Sequence, residues 1–400
     1  MTAHVGIARS AARAGAAGIV AAALAATAFA APAHAEQAGE RGHPAARQAM
    51  EAIVAGGIPG VVAAESVRGG SWKDHAGVGN RTTGKPRDVN DRFRIASITK
   101  TFVATVLLKL EAEGKLDLDD TVEKHLPGVV RGHGNDGRKI TVRQLLNHTS
   151  GLFDYLADEE YVKKYLLAPG FLKHRYDTIP PEYHVGVAMG HAPLFEPGAK
   201  HSYSNTNYIL AGLIIEKVTG SAYERAVRER IIEPLGLTST SQPGNSVHLP
   251  KPSSRAYSSL YDFTTPAPRI YDVTRMNGSQ GWADGDIIST TGDLNRFFRA
   301  LLGGKVLPPA QLRAMKTVVP AGDLGEGGGY GLGVYTYKTS CGTKVWGHSG
   351  GIVGSVSEVV TTENGRRAVA SNQNGDWSRA ASVTDAAFCG NTAAKARKIY

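Results

Sequence analysis

A serine and a lysine three residues apart form the pair in this chain best suited to covalent chemistry. Ser97-Ile98-Thr99-Lys100 directly precedes a run with apolar residues at helical spacing, and Gly114 follows as a stop signal. A helix rises about 1.5 Å per residue, so the pattern places both side chains on one face, about 4.5 Å apart along the axis. A lysine amine can take the proton that turns a serine into a nucleophile. Ordinary surface helices show the same spacing, so the pair alone leaves both interpretations open.

A tyrosine and an asparagine follow about a hundred residues later. Tyr203-Ser204-Asn205 lies after the turn residues Glu196-Pro197-Gly198 and before a helical pattern at 205–218. A tyrosine is a weak base at its ordinary pKa of about 10. Close to the Lys100 cation, however, its phenolate would be favoured and could take the serine proton. Asn205 could orient either a substrate amide or the lysine. The alternative is a core tyrosine beside a helix-capping asparagine.

The third candidate is His348-Ser349-Gly350, at the end of a strand expected at 343–347. Glycines there, with Gly351 next, would let a substrate backbone approach and pair with the strand. The alternative is a glycine-rich strand end with an exposed histidine. Residues 347–351 also fit Gly-x-Ser-x-Gly, the nucleophile elbow of α/β-hydrolases. That motif needs a following helix and a later histidine, whereas 353–361 predicts a strand and no histidine follows His348.

The elements that must position these residues fall into three zones. Both ends of the chain predict mostly strands, at 60–67, 71–76, 330–338, 343–346, 353–361 and 366–371. Flanking helices are expected at 45–55 and 377–388, and a loop at 278–285. The middle, about 116–313, predicts helices at 141–146, 155–167, 205–218, 222–232 and 292–302. The expected fold is α+β. An antiparallel sheet from both chain termini is flanked by helices, and a mostly helical insertion closes over it to leave a cleft.

The N-terminal segment has the pattern of an export signal. Arg9 and Arg13 precede an apolar run at 15–31, and Ala33-His34-Ala35 fits a small-x-small cleavage site. A membrane anchor is the alternative, but the run is short and rich in alanine. We therefore expect a secreted protein cleaved after Ala35. Residues 36–400 would then form one domain with the 116–313 insertion.

Composition narrows the function further. The formal charge is +9, but Lys and Arg alternate with acidic residues throughout, which disfavours nucleic-acid binding. The chain has no Cys-x-x-Cys and no His-Glu-x-x-His, so metal binding has little support. The two cysteines, Cys341 and Cys389, are expected to form a disulfide in an exported protein, and two free thiols are the alternative.

Together the three motifs resemble those of serine β-lactamases and penicillin-recognising D-alanyl-D-alanine carboxypeptidases. The resemblance favours the class C-like branch, and within it the secreted carboxypeptidases of actinomycetes. It covers almost the whole mature chain, including Phe93-Arg94-Ile95-Ala96 and the stretch 145–152. It implies a β-lactamase/transpeptidase-like fold. It also implies peptidoglycan D-Ala-D-Ala peptides as substrates and β-lactams as inhibitors or substrates. A monomer without a membrane anchor and without any metal or organic cofactor is expected.

The resemblance also implies a role for each motif residue. Ser97 would be the acylated nucleophile, Lys100 would help move its proton, and Tyr203 would be the general base. Asn205 would hold the substrate amide, and His348, Ser349 and Gly350 would line the opposite wall of the cleft. The N–H groups of Ser97 and Gly351 would form the oxyanion hole, where losing a donor typically costs about 3 kcal/mol.

Two departures from the family put the substrate in question. Many relatives have Lys at the position of His348, and the secreted carboxypeptidases have Arg at the position of Tyr335. A C-terminal carboxylate would then lack its usual partner, so a β-lactamase, esterase or D-stereospecific aminopeptidase or amidase is the alternative. A non-catalytic binding protein is a third hypothesis. Asp284 and Asp286 stand where relatives have small apolar residues. They could receive a substrate amine, but solvated loop acids are the favoured interpretation.

Overall fold

The computed structural model describes residues 43–262, 268–325, 327–378 and 380–391. The expected leader at 1–35 lies outside these residues. An antiparallel sheet of eight strands is central to the fold, and six further short strands pair two by two. The strands are β1 Gly60–Val67, β2 Gly70–Gly77, β3 Phe93–Arg94, β4 Arg131–Gly132, β5 Asn135–Asp136, β6 Tyr257–Ser258, β7 Tyr271–Asp272, β8 Ile288–Ser289, β9 Val319–Pro320, β10 Gly329–Tyr330, β11 Tyr335–Lys338, β12 Lys344–Ile352, β13 Ser355–Thr362 and β14 Ala368–Gln373.

The central sheet joins the two ends of the chain. Its order is β2-β1-β14-β13-β12-β11-β10-β9, so β1 from the N-terminal part pairs with the last strand. The small pairs are β3-β8, β4-β5 and β6-β7. The α+β prediction with an antiparallel sheet from both termini is confirmed. The boundaries 116–313 of the helical insertion stay a prediction.

Helices occupy most of the chain between the two groups of strands and flank the sheet at either end. They are α1 Pro44–Ala55, α2 Thr99–Ala112, α3 Val122–His125, α4 Val142–Leu146, α5 Glu159–Tyr165, α6 Gly170–His174, α7 Pro181–Met189, α8 Thr206–Thr219, α9 Tyr223–Val227, α10 Trp282–Gly285, α11 Thr291–Leu302, α12 Pro309–Met315 and α13 Val383–Cys389. Among the helices in the described ranges, none has the length and apolar character that crossing a membrane requires.

Among the local predictions that differ from the structure are the loop at 278–285 and the closing helix at 377–388. The expected loop 278–285 contains a 3-10 turn at Gly278–Gln280 followed by α10. The closing helix begins at Val383, because Ser382 caps it by accepting the N–H of Asp385. The preceding Asp376 instead accepts the N–H of Gly354, which holds that stretch outside the helix.

The helix that carries the lysine of the first motif is almost completely buried. Most of α2 lies in the main core, where Phe102 stacks on Phe297 of α11 with ring centroids 3.9 Å apart. On the other side, α1 and α13 share a second core with β1 and β14. The predicted disulfide between Cys341 and Cys389 is present and ties α13 to the turn between β11 and β12. Packing on this scale fixes the start of α2 rigidly.

Candidate active site

Ser97 lies in a 3-10 turn, Ala96–Ile98, that leads directly into α2. Strand β12 packs closely against this turn at Gly350. A Cβ added at Gly350 would lie 2.1 Å from the Ile95 oxygen and 3.0 Å from the Ser97 nitrogen. Only glycine permits such an approach, so the first and third motifs meet through backbone contact.

Lys100 is fully buried, and its ammonium group has three defined partners. Its Nζ lies 3.0 Å from Ser97 Oγ, 2.7 Å from Asn205 Oδ1 and 2.8 Å from the backbone oxygen of Asp284. These match the three donors of a charged lysine. Desolvation lowers the pKa of Lys100 to about 8, although Asp284 and Asp154 act in the opposite direction. A considerable fraction of this amine is therefore neutral near physiological pH.

Asn205 orients the lysine from the start of α8. It stands at the N-cap position, yet its side chain makes no capping bond. Instead, its Nδ2 donates to Asp154 Oδ2 at 2.9 Å while its oxygen accepts from Lys100. Asn205 was expected to orient either a substrate amide or the lysine, and its contact in the structure is with the lysine. Its role toward a substrate amide stays a prediction.

Tyr203 packs its ring beside the lysine and a buried histidine. Lys100 Nζ lies 5.1 Å from the Tyr203 ring centroid, and the His148 ring centroid lies 4.1 Å from it. Burial raises the pKa of Tyr203 well above 10, although a hydrogen bond with Ser97 lowers it. Burial therefore opposes the phenolate form that was expected from the nearby Lys100, and the role of Tyr203 as general base stays a prediction. The hydroxyl is shielded from solvent, and carboxylates nearby disfavour another negative charge.

His348 is fully buried inside β12, which runs on to Ile352 rather than ending at 347. Its Nδ1 lies against the Ser349 carbonyl oxygen and its Nε2 lies 2.7 Å from the Tyr330 hydroxyl. A carbonyl can only accept, so Nδ1 carries the proton and Nε2 accepts from Tyr330. Burial lowers the pKa of His348 to about 3, so the ring is neutral. The alternative of an exposed histidine is wrong, and this position brings no positive charge.

The edge of β12 next to the Ser97 turn extends beyond its neighbour β11. The pairing of β11 with β12 ends at Tyr335 and Gly347, whereas β13 pairs with β12 as far as Ile352. In the described registers, residues 348–352 of β12, including Ser349 and Gly351, thus pair with a strand on one side and not on the other. This arrangement is compatible with the predicted pairing of an extended substrate along the strand.

Tyr335 is buried in β11 and directs its hydroxyl to an acid. Its hydroxyl donates to Glu358 Oε1 at 3.5 Å, and Tyr337 donates to the same oxygen at 3.0 Å. At the position where the secreted carboxypeptidases carry an arginine, this chain therefore offers no cation.

Two acids that sequence reasoning misjudged lie at or near the centre of the site. Asp284 and Asp286 are both buried, so the favoured interpretation as solvated loop acids is wrong. Asp284 Oδ2 accepts a 2.6 Å hydrogen bond from Tyr155, and burial raises the pKa of Asp284 to about 7. Burial also raises the pKa of Asp286 well above 3.8.

Three further residues of the site were missed altogether: Asp154, Tyr155 and His148. Burial lowers the pKa of His148 well below 6.5, so it packs against Tyr203 as a neutral ring. Among the acids of the site, only Asp284 had a signal in the sequence, since relatives of this family carry small apolar residues at its position. Within the described ranges, no group of three or more His, Cys, Asp or Glu side chains is placed to hold a metal ion.

The fold places this chain among the β-lactamase-fold serine hydrolases. The family model described as Beta-lactamase matches residues 46–389, and the chain belongs to this family. The resemblance stated from the motifs is thereby confirmed.

Similar proteins carry more specific names. Penicillin-binding protein 4* of Bacillus subtilis (strain 168) is 29% identical over 282 residues, which are 69% of this chain and 59% of that protein. The match therefore spans less than two thirds of that relative. A D-stereospecific amidohydrolase from Streptomyces sp. is 50% identical with a TM-score of 0.83, over 88% of this chain and 99% of its own. The D-amino acid amidase from Ochrobactrum anthropi SV3, complexed with L-phenylalanine, is 28% identical with a TM-score of 0.72, over 83% and 91%.

Proposed function

We propose that this protein is a serine amidohydrolase that forms an acyl-enzyme on Ser97 and cleaves amides of D-amino acids. The observation that carries the proposal is the set of three contacts around Lys100 Nζ. Two of its partners, Asn205 Oδ1 and the Asp284 oxygen, can only accept. When Lys100 is neutral, its two remaining N–H bonds serve these acceptors, and its lone pair faces the hydroxyl of Ser97.

The first step uses this lone pair. Ser97 Oγ attacks the amide carbon of the substrate while its proton passes to Lys100 Nζ. The oxygen of the tetrahedral intermediate would be held by the N–H groups of Ser97 and Gly351. We assign Tyr203 as the acid that protonates the leaving amine, because its high pKa keeps it protonated. The proton on Lys100 then restores the tyrosine, and water releases the acyl group by the reverse sequence.

The choice of D-amino-acid amides rests on charge and similarity. His348 is neutral and Tyr335 faces Glu358, so neither offers a cation for a substrate carboxylate. A substrate that ends in an amide has no such charge to satisfy. The half-identical Streptomyces protein carries the name D-stereospecific amidohydrolase, which supports the same choice.

A D-alanyl-D-alanine carboxypeptidase is the second candidate. The three motifs and the similarity to Penicillin-binding protein 4* favour it, and β-lactams would then acylate Ser97. In both cases we propose export with cleavage after Ala35, on the strength of the leader pattern.

Intact-mass analysis with parallel product assays tests the proposal. Wild type, Ser97→Ala and the control Ser66→Ala on β1 would each be mixed with D-phenylalanine amide, L-phenylalanine amide, a D-Ala-D-Ala peptide and benzylpenicillin. We expect turnover of the D-amide over the L-amide in wild type and Ser66→Ala, and none in Ser97→Ala. Release of D-Ala without amide turnover would establish the second candidate instead. Turnover by Ser97→Ala at the wild-type rate would overturn the assignment of Ser97 as the nucleophile.

A further inference from the structure

Asp284 contacts the catalytic centre through two different atoms. Its backbone oxygen accepts from Lys100 Nζ at 2.8 Å, and its carboxylate accepts from the Tyr155 hydroxyl at 2.6 Å. All three side chains are buried, with Lys100 fully enclosed, Tyr155 1% exposed and Asp284 5% exposed. Neither the Ser-x-x-Lys motif nor the other two motifs assign a role to Tyr155 or Asp284.

The charge environment of Asp284 comes from several elements. Titratable groups that interact with it are Lys100 from α2, Tyr155 from a further 3-10 turn, Tyr155–Ala157, Asp154 that caps this turn, Tyr161 from α5, Tyr203 before α8, Tyr223 from α9 and Asp286 after α10. Within this described group, Lys100 is the cation and all the other members are acids. The charge state of Asp284 is therefore coupled mainly to that of Lys100.

We propose that the Tyr155–Asp284 pair is a positioning element that holds the charge state of Lys100 and so sets the pH range in which Ser97 reacts. The inference rests on the proposed acylation of Ser97. The Tyr155 hydroxyl fixes the carboxylate on α10, and the backbone of the same residue fixes the amine. A single buried residue thus supplies both a hydrogen-bond acceptor and a counter-charge to the catalytic lysine.

The direction of the coupling follows from electrostatics. Burial raises the pKa of Asp284 to about 7 and lowers that of Lys100 to about 8, so both groups titrate in the same range. A charged Asp284 stabilises the ammonium form of Lys100, which cannot accept the serine proton. Removing that charge therefore lowers the pKa of Lys100 and extends activity to lower pH. Removing the Tyr155 hydroxyl destabilises the Asp284 carboxylate, so it acts in the same direction more weakly.

The pH profile of kcat/KM for D-phenylalanine amide separates this role from a structural one. The acid limb is the part of the profile in which kcat/KM rises with pH. In Asp284→Asn we expect this rise to shift to lower pH by about one unit, and in Tyr155→Phe by less. Asp293→Asn is the matched control, because Asp293 is also buried but accepts from the Ser239 N–H and the Thr240 hydroxyl. Its acid limb should stay in place. Loss of activity at every pH without movement of the limb would overturn the proposal.

A second measurement does not depend on turnover. NMR of the substrate-free protein with ¹³Cε-labelled lysine, assigned with Lys100→Arg, reports the titration of Lys100 directly. We expect its midpoint to fall in Asp284→Asn and Tyr155→Phe and to stay unchanged in Asp293→Asn. An unchanged midpoint in both test variants would contradict the inference even if Ser97 acylation is confirmed. If wild type instead shows no acylation, the proposed function fails while this titration still tests the coupling.

Discussion

Asp154 receives two hydrogen bonds from Asn205, one from the side-chain nitrogen at 2.9 Å and one from the backbone N–H at 3.2 Å. Together they leave the Asn205 amide one orientation, with its oxygen toward Lys100. The acid thus acts on the lysine through the asparagine, and it does so from a turn 51 residues away in sequence.

Asp154→Asn tests this orientation. An amide at this position would present a donor to one of the two Asn205 N–H groups that now donate to Asp154, so the orientation of Asn205 toward Lys100 would no longer be fixed. Because charge-assisted hydrogen bonds contribute about 1.5–3 kcal/mol, we expect kcat/KM to fall by roughly 10- to 100-fold. Steady-state kinetics at the optimum pH would measure this fall in kcat/KM. Asp158→Asn is the control, since Asp158 caps α5 and pairs with His191. Equal losses in the two variants would contradict the role of Asp154.

Gly350→Ala tests the contact between β12 and the Ser97 turn. A methyl group would lie 2.1 Å from the Ile95 oxygen, so the strand or the turn must move. Displacing reacting groups by about 1 Å can cost roughly 100-fold in rate, and we expect a loss of this size. Gly186→Ala on α7 is the control, because nothing lies within 4 Å of a Cβ there. Near-normal kinetics of Gly350→Ala would show that the close contact is not needed.

The acid limb of kcat/KM tests the base. Since neutral Lys100 accepts the serine proton and its pKa is about 8, activity should rise with pH through a midpoint near that value. Lys100→Arg should lower kcat/KM by roughly 1,000-fold, because general acid–base catalysis contributes about 100- to 10,000-fold and arginine stays charged at every usable pH. Lys109→Arg, on the same helix, should leave the profile as it is. A limb near pH 6.5 that persists in Lys100→Arg would point to another base.

The disulfide should affect stability rather than catalysis. Cys341 and Cys389 lie 48 residues apart in sequence, and removing a cross-link of this kind typically costs about 2–4 kcal/mol. Urea unfolding of Cys341→Ser/Cys389→Ser, compared with wild type, would measure the loss. We expect kcat to remain close to wild type. An unchanged unfolding midpoint would show that the bond does not stabilise the fold.

Sequence predicted the features that depend on local pattern. The bounds of β1 and the start of α2 behind Ser97 follow directly from apolar periodicity, and β1 matches its expected range. The contact between Ser97 and Lys100 and the family membership of the chain follow from the spacing of the motifs. These signals are carried by neighbouring residues, so no knowledge of the fold is needed to read them.

The charges of the site could not be predicted in the same way. Asp284 is buried because Tyr155, 129 residues away, satisfies its carboxylate. His348 is neutral because the fold buries it completely, and this desolvation lowers its pKa. Both outcomes depend on which side chains the fold brings together, and alternation along one strand carries no such information. The ionisation of Tyr203 could not be predicted for the same reason, since burial raises its pKa despite the nearby cation.

The early end of β11 has a consequence for selectivity. Beyond Gly347, β12 pairs with β13 and no longer with β11, so an extended ligand would lie along this edge beside Ser97. A ligand held in this way is recognised by the direction and handedness of its backbone, because mirror-image residues at equal hydrogen-bond register project their side chains differently. An enzyme built on such an edge would accept many side chains while discriminating sharply between enantiomers.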